Sequence, residues 1–326
     1  MMKVQLPKMS KSLLCFLACI PLTMVEAGNM TNCETSQCGE FSFGISAVNA
    51  GGLNNIPIAV RENQLDEDGW EGKLYTPDLN WNPAWEVNFT KDLCGGGAFG
   101  VHYWGTYFDK SSSLTSEDED LHLIFSGGEN DGTDLAKVTT NVKLNVSKIS
   151  VLFQDLLTQS CNSCIHWYGG LTYYHINSTV RARGFDEDDS LEHFTKNEDT
   201  NNLIGPTTGF LFSYSCNNCY DLYLNSNVTL AYNSHKIERK EGPAEDLDAP
   251  MDFYYCYGTV VPVVDSAIGI KFSKCNWDFS IEYGFKWFYR LFDSVMQLDD
   301  TNEASGVSTP YDVTFNGVTL RAGRSF

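Results

Sequence analysis

Apolar and polar residues alternate along residues 277–291. One set is made of large apolar or aromatic side chains: Trp277, Phe279, Ile281, Tyr283, Phe285, Trp287, Tyr289 and Leu291. The other set is small, polar or charged: Asp278, Ser280, Glu282, Gly284, Lys286 and Arg290. Because successive side chains of a β-strand point to opposite faces, this pattern predicts a long strand with one apolar and one polar face.

The same alternation recurs along the chain and predicts about ten strands. They cover roughly residues 41–50, 84–93, 98–109, 138–156, 164–183, 204–215, 220–234, 255–272, 276–292 and 311–326. The segments "IPIAV" and "HLIFS" could add a hairpin and raise the number to twelve. The alternation loses its phase around Ser147 and Tyr173, which predicts a β-bulge in each of those strands.

The connections between these strands alternate between long and short. The long ones are acidic or polar and cover residues 51–83, 110–136, 184–202, 234–253 and 293–310. The short ones cover residues 94–97, 158–164, 215–219 and 273–276. Short turns at one end and long loops at the other are typical of an outer-membrane β-barrel. A soluble β-sandwich would also have one buried face per strand, but it does not explain this asymmetry.

The predicted fold is therefore an all-β, antiparallel, up-and-down transmembrane barrel, with lipid outside and the charged residues inside. The predicted pore-lining residues are Asp265, Lys271, Asp278, Glu282, Lys286, Arg290 and Arg321. They could form a charged constriction that selects ions, or a plug of paired charges. Ten strands lie between the filled barrels of about eight strands and the open channels of about sixteen, so both interpretations remain open.

The N-terminal segment has the pattern of an export signal. Lys3, Lys8 and Lys11 precede an apolar run, and small residues occupy positions 25 and 27. This predicts a signal peptide over residues 1–27, a short periplasmic segment over 28–40, and a barrel over 41–326. Export and the barrel pattern together predict a bacterial outer-membrane location.

Aromatic residues mark the expected membrane boundaries. Trp277 lies ten to twelve positions from Trp287 and Tyr289, about the length of one bilayer crossing, so these three are predicted girdle residues. The closing strand ends on Phe326, which resembles the signal that the bacterial barrel-assembly machinery reads.

The composition limits the partners. The formal net charge is −20, so the chain would repel nucleic acid. The expected partners are outer-membrane lipid and lipopolysaccharide, the assembly machinery, and either further copies of the chain or disulfide-linked envelope proteins. No cofactor and no metal site are predicted.

Most cysteines outside the signal lie next to predicted short turns or before the first strand. These disulfide candidates are Cys33, Cys38, Cys94, Cys161, Cys164, Cys216, Cys219 and Cys275. Structural disulfides at one rim are favoured there, ahead of cross-links to other envelope proteins and of a metal site. Cys256 is the cysteine predicted to stay unpaired.

Several strand segments resemble the Legionella-type major outer membrane protein family, in the order found here. They are "FSFGISAVNA", "WNPAWEVNF", "GVHYWGTYF", "IHWYGGLTYYHINSTV", "IGPTTGF" and "VTFNGVTLRAG". The resemblance covers about residues 41–326 and implies a bacterial outer-membrane barrel with porin activity, often disulfide-linked at the cell surface. It implies no catalytic residues.

The leading functional hypothesis is a porin-like barrel that passes ions or small hydrophilic solutes through a narrow charged lumen. The alternative is a structural or adhesive surface barrel with a plugged lumen. An enzyme is not predicted, since His122, His193 and His235 lie in no Asp-x-His arrangement and the chain has no nucleophile motif. This matters because omptin proteases are also ten-stranded barrels.

Overall fold

The computed structural model describes residues 39–51, 59–62, 72–75, 79, 81–93, 97–116, 121–123, 135–217, 220–243, 251–274, 276–295 and 308–326. The predicted signal peptide and most of the predicted periplasmic segment lie outside these residues. The strands are β1 (Gly39–Gly51), β2 (Ala59–Glu62), β3 (Gly72–Tyr75), β4 (Asn82–Asp92), β5 (Ala98–Thr115), β6 (Leu121–Leu123), β7 (Lys137–Gln159), β8 (Ser163–Phe185), β9 (Leu191–Asn217), β10 (Tyr220–Pro243), β11 (Met251–Lys274), β12 (Trp277–Val295) and β13 (Ser308–Ser325).

Ten of these strands form a closed antiparallel barrel. Their order around the ring is β1-β13-β12-β11-β10-β9-β8-β7-β5-β4, and β4 pairs with β1 to close it. The backbone N–H of Phe326 donates a hydrogen bond to the carbonyl of Gly39 at 3.0 Å. The two ends of the barrel sequence therefore lie side by side at the end that carries the short turns.

The barrel has ten strands because the two segments considered as an extra hairpin pair outside it. Their strands β2 and β6 form a separate three-stranded sheet with β3, in the order β3-β2-β6. Leu121 of β6 is fully buried and joins the apolar core together with Leu135. The two long connections that supply β2, β3 and β6 thus pair with each other, so the alternative of twelve barrel strands is wrong.

The outer face of the barrel is apolar, as the alternation predicts. On β12, the outward side chains of Phe279 and Ile281 are 49% and 50% exposed, while Glu282 is 8% exposed. Similar apolar rows cover the outside of β1, β8, β10 and β13. In a bilayer, lipid chains replace water around this surface, and the closed ring leaves no unpaired strand edge.

Five strands are far longer than a bilayer crossing needs, and two of them, β9 and β10, continue well beyond the predicted strand ends. Strands β7 to β11 contain 23, 23, 27, 24 and 24 residues, whereas a tilted strand crosses the bilayer in about 9–11. Most of the predicted loop over 184–202 is strand, and only residues 186–190 form a turn. The Asp186 carboxylate accepts a hydrogen bond from the Ser190 N–H at 2.7 Å, and Asp189 adopts a left-handed φ of 59°. Acidic composition therefore does not mark a loop here.

The bulges do not lie where the lost alternation predicts them. Strands β7 and β8 pair without interruption through Ser147 and Tyr173, and their register shifts only between Leu156 and Thr158. The inward residues of β7 change from polar near its middle to apolar near its start, where Val142 and Leu144 are buried. This change of interior chemistry, and not a slip in phase, produces the irregular pattern.

Among the described residues, no helix has the length and apolar character required to cross a membrane.

Candidate functional site: the interior of the barrel

The half of the lumen nearer the short turns contains a network of buried charges. Asp265 on β11 accepts hydrogen bonds from Lys148 on β7, at 2.6 Å, and from Lys286 on β12, at 3.2 Å. The side chains of Lys148 and Asp265 are 6% and 11% exposed. Because β7 and β11 lie on different walls, this ion pair joins them across the interior.

A second ionic group lies closer to the short turns. The Nε of Arg321 donates to Glu86 at 2.7 Å, and its Nη2 donates to Glu282 at 3.0 Å. The hydroxyl of Tyr223 donates to the other oxygen of Glu282 at 2.6 Å. The Nε2 of His102 lies 3.6 Å from Glu86. The single arginine thus bridges two buried carboxylates, a geometry suited to its planar guanidinium.

A row of hydroxyl groups follows one wall at the same depth. Thr207 donates to Thr172 at 2.6 Å, and lies within 2.7 Å of Thr229. Ser150 lies 2.9 Å from Thr172. These four side chains connect β7, β8, β9 and β10, and their mutual hydrogen bonds satisfy polar groups that would be costly to bury alone.

Two cavities remain within this polar half. One has a volume of about 200 Å³ and is lined by Asp265, Lys286, Glu86 and Arg321, among others. The second, of about 250 Å³, reaches Lys271 and Asp278 near the short turns. Both are large enough to hold several water molecules, so this part of the lumen is polar and hydratable.

The half of the lumen nearer the long connections is closed by aromatic rings. Tyr174, Phe288, Phe315 and Trp104 are at most 3% exposed. Their successive ring centroids lie 5.1, 5.8 and 6.0 Å apart, each pair in an edge-to-face arrangement. Strands β8 and β12 are four places apart in the ten-stranded ring, so the contact of Tyr174 with Phe288 crosses the lumen. We call these four residues the aromatic layer.

The aromatic layer rests directly on the charged network. The Nζ of Lys286 lies 4.9 Å from the ring centroid of Trp104, and that of Lys148 lies 5.8 Å from the ring of Tyr174. Such cation–π contacts stabilise a cation that is removed from water. On the other side of the layer, apolar residues such as Leu144, Val263 and Phe108 are fully buried, and they fill the interior.

A pair formed by one histidine and one aspartate lies beyond the aromatic layer, toward the long connections. His235 on β10 is fully buried, and its Nε2 lies 2.7 Å from an oxygen of Asp199 on β9. Its Nδ1 lies 2.6 Å from the Tyr257 hydroxyl, and its ring contacts Phe292. No Asp-x-His motif in the sequence marks this pair, because its members are 36 positions apart and meet only through strand pairing.

Six of the seven predicted pore-lining residues lie inside the barrel. Asp265, Lys271, Asp278, Glu282, Lys286 and Arg321 all line the two cavities. Lys271 and Asp278 form an ion pair at 2.9 Å. The structure adds Glu86, His102, Lys148 and Tyr223, which also occupy inward positions of alternating strands but were not selected from the sequence.

The seventh predicted residue, Arg290, does not line the lumen. The register of β12 against β13 shifts between Phe288 and Phe292, and Arg290 has a left-handed φ of 50°. This β-bulge exposes Arg290, whose guanidinium lies over the ring of Tyr289. It also turns Leu291, predicted on the lipid face, into the core. The prediction for Arg290 is wrong because alternation cannot anticipate an inserted residue.

Comparison with known families decides the classification. The family described as the Legionella pneumophila major outer membrane protein precursor matches residues 36–324. This chain belongs to that family. No curated protein sequence matches it.

Among solved structures, the barrel of this family member is similar to the outer membrane protease OmpT from Escherichia coli. The TM-score is 0.51 at 11% identity, over 88% of this chain and 96% of that one. A major outer membrane protein from Thermus thermophilus gives 0.36 at 12% identity, over 88% and 99%. The Pseudomonas putida toluene transporter TodX gives 0.29 at 6% identity, over 89% and 90%. The likeness to OmpT shows a shared barrel fold and nothing about activity.

Four cysteines of this outer-membrane protein are described, and all carry free thiols. Cys161 and Cys216 are exposed, Cys164 is half-buried, and Cys256 is exposed. The structure therefore shows no disulfide for Cys161, Cys164 or Cys216. The other disulfide candidates, Cys33, Cys38, Cys94, Cys219 and Cys275, lie outside the described residues. Among the described residues, no group of His, Cys, Asp and Glu side chains could hold a metal ion.

The aromatic residues predicted at the membrane boundaries lie near the two ends of the β12 crossing. Trp277 is 45% exposed beside the short turn, and Tyr289 is 38% exposed at the opposite end. The indole N–H of Trp287 donates to Asp312 at 3.0 Å. Phe326 is exposed, and its ring centroid lies 6.4 Å from that of Phe89. Its role as an assembly signal stays a prediction.

Proposed function

We propose that this protein is a closed outer-membrane barrel that acts as a structural or surface-binding element of the envelope. The observation that carries the proposal is the aromatic layer. Its rings cross the lumen, contact one another edge to face and are at most 3% exposed, so they obstruct a water path along the axis. A hydrated ion would have to displace Phe288 and Phe315 to pass.

The long strand extensions support a role at the surface. More than half of the 27 residues of β9 exceed the length that a bilayer crossing needs. The barrel wall therefore continues beyond the membrane on the side of the long connections. In outer-membrane barrels that side faces the exterior, where such a wall can contact other molecules.

Porin-like passage of ions or small solutes is the second candidate. It is favoured by the two cavities of the polar half, which are lined by charges of both signs. If the rings of the aromatic layer and the apolar side chains beyond it moved, these cavities would be continuous with the far side of the barrel. The charges would then act on the passing ion, as they do in selective pores.

We also propose that the protein is not an enzyme. The strongest candidate for acid–base chemistry is the pair of His235 and Asp199, yet His235 is 0% exposed. Tyr257 and Phe292 cover its imidazole. A general base must reach the proton that it removes, and this histidine has no open side from which a substrate could approach.

Conductance tests the closed barrel. The folded protein, checked by its heat-modifiable mobility, is reconstituted into vesicles, and these are fused with a planar bilayer. Flotation of the vesicles confirms that the protein has inserted, and a channel-forming porin serves as the positive control. We expect no discrete current steps from the inserted protein. Reproducible steps at the same protein density would overturn the closed-barrel proposal and establish the porin candidate.

A further inference from the structure

We call the part of the barrel wall that continues beyond the membrane, formed by the long strands β7 to β11, the extension. Its outer face carries two arginines on β8, Arg181 and Arg183. The residue between them, Ala182, is fully buried, as is Val142 on the neighbouring strand β7. Since side chains alternate along a strand, both arginines point away from the core, and both are exposed. They occupy the outside of the wall, the same face that is apolar and meets lipid lower down the barrel.

The other cations on this part of the wall already have acidic partners. Lys137 pairs with Asp189 at 2.8 Å. Lys143 pairs with Asp109 at 3.3 Å, and Lys196 with Glu198 at 2.5 Å. Within the described part of the chain, no carboxylate pairs with either arginine. Among the described residues, Arg181 and Arg183 are thus cations of this wall without an ion pair, although the adjoining turn carries the acidic residues 186–188.

A polar groove lies beside these arginines, between β5, β7 and β8. Its volume is about 430 Å³, and its lining includes Ser111, Ser113, Thr139 and Asn141. The amide of Asn141 donates to Ser111 at 2.9 Å and to Asp109 at 3.0 Å. This lining offers hydroxyl and amide groups, which hydrogen-bond sugar hydroxyls. We call six of its eight lining residues, Ser111, Ser113, Thr139, Asn141, Arg181 and Arg183, the arginine groove.

The arginine groove lies above the apolar belt. On β8 the last large apolar residue exposed to lipid is Tyr173, at 37%, and Arg181 follows eight residues later. With a rise of about 3.3 Å per residue and a tilt of about 40°, Arg181 lies roughly 20 Å beyond Tyr173 and about 10 Å beyond the register position of the exposed Tyr107 on β5. This height is that of the sugars of an outer-leaflet glycolipid, not of its acyl chains.

We propose that the arginine groove binds the phosphorylated sugar region of an outer-leaflet glycolipid. Two guanidinium groups that are two residues apart, about 7 Å along the strand, can each donate a pair of hydrogen bonds to phosphate. The hydroxyl and amide groups beside them contact the adjoining sugar. The two guanidinium groups, without an ion pair in the described part of the chain, favour an anion, and the sideways orientation favours a lipid over a soluble ligand. The site is independent of whether the lumen is open.

The test compares the folded wild type with the double variant Arg181→Gln/Arg183→Gln. Arg290→Gln serves as the matched control, because Arg290 is also an exposed arginine but lies on β12. The probes are purified lipopolysaccharide, the same material after chemical removal of its phosphates, and inorganic phosphate. Binding is measured by native mass spectrometry and by the increase in unfolding temperature on titration.

We expect lipopolysaccharide to bind the wild type and the control equally, and the double variant about tenfold more weakly, since two exposed charge pairs of about 0.7 kcal/mol each give that factor. Dephosphorylated material should bind the wild type as weakly as intact material binds the double variant.

Equal affinity of wild type and double variant would overturn the proposal. It would also fail if inorganic phosphate competed at equal phosphate concentration, which indicates a free-anion site. A third contrary result is loss of self-association in the double variant with lipopolysaccharide binding unchanged, which indicates a protein partner.

Discussion

Asp265 is the residue on which the charge balance of the lumen depends. It lies between Lys148 and Lys286 and accepts a hydrogen bond from each. Breaking a buried ion pair leaves the remaining charge without compensation, and this costs more than the pair itself contributes. Here a single carboxylate compensates two ammonium groups, so its removal affects both.

Asp265→Asn should lower the free energy of unfolding by about 3 kcal/mol, the lower end of the range for buried pairs, because a cavity adjoins the site. Asp278→Asn is the matched control. The Asp278 side chain is 15% exposed and its ion-pair partner Lys271 is 34% exposed, so the loss of this partly solvated pair should cost less, about 1 kcal/mol. Urea titration followed by tryptophan fluorescence in lipid vesicles measures both. Equal costs would contradict the burial of the Asp265 network.

Among the elements, β12 is the strand that changes character along its length. Its first part follows simple alternation, and its bulge at Arg290 then turns Leu291 and Phe292 into the core. The backbone N–H of Arg290 donates to the Asp312 carboxylate at 2.9 Å, which holds the bulge against β13. The left-handed conformation there is costly for any residue except glycine.

This conformation makes opposite predictions for two substitutions of Arg290. Arg290→Gly should change the free energy of unfolding by less than about 0.5 kcal/mol, because glycine adopts positive φ freely. Arg290→Val should lower it by about 1 kcal/mol, because a β-branched residue adopts positive φ less readily than the unbranched arginine. The same urea titration distinguishes them. If glycine is the more harmful substitution, Arg290 has an ordinary strand conformation and the bulge is misplaced.

The aromatic layer is assembled from four strands, and its removal should open the lumen. Phe288→Ala/Phe315→Ala deletes two of the rings that cross the interior, and we expect current steps that the wild type lacks. Phe279→Ala is the control, since this residue is 49% exposed on the lipid face and its loss should leave the bilayer silent. Phe288→Ala alone is used if the double variant does not fold. Silence of every folded variant would show that other residues close the lumen.

At the scale of the whole molecule, the extension gives the barrel two unlike ends. Short turns and both ends of the barrel sequence lie at one side, and the long strands β7 to β11 continue at the other. The exposed thiols divide between these ends. Cys161 and Cys216 lie at the short turns, whereas Cys256 lies on β11 beyond Val260, toward the extension.

Labelling of intact cells with a membrane-impermeant maleimide should therefore modify Cys256 and spare Cys161 and Cys216. Peptide mass spectrometry locates the label, and Cys256→Ser is the control that should remove it. Labelling of the turn cysteines without Cys256 would mean the reverse orientation. After lysis without reductant, Cys161, Cys164 and Cys216 should react if their thiols are free in the cell. Unreactive turn cysteines that become reactive after reduction would instead establish the disulfides predicted from the sequence.

The sequence by itself determined the barrel fold and the two faces of its strands, while the choice between ten and twelve strands needed the structure. These features are local. Successive residues of a strand point to opposite faces, and the residues that face lipid are apolar, so every second position is apolar. Acidic composition did, however, lead to a wrong loop prediction where the wall leaves the membrane, since residues 184–202 are mostly strand.

Only the tertiary structure decided what the lumen contains. Lys148 and Asp265 are 117 positions apart, and no local pattern shows that closure of the ring brings them together. The rings of the aromatic layer come from four strands, so each looks like an irregularity of its own strand until they meet. The bulge at Arg290 is fixed by pairing with β13, and pairing between distant segments is what alternation along one segment does not encode.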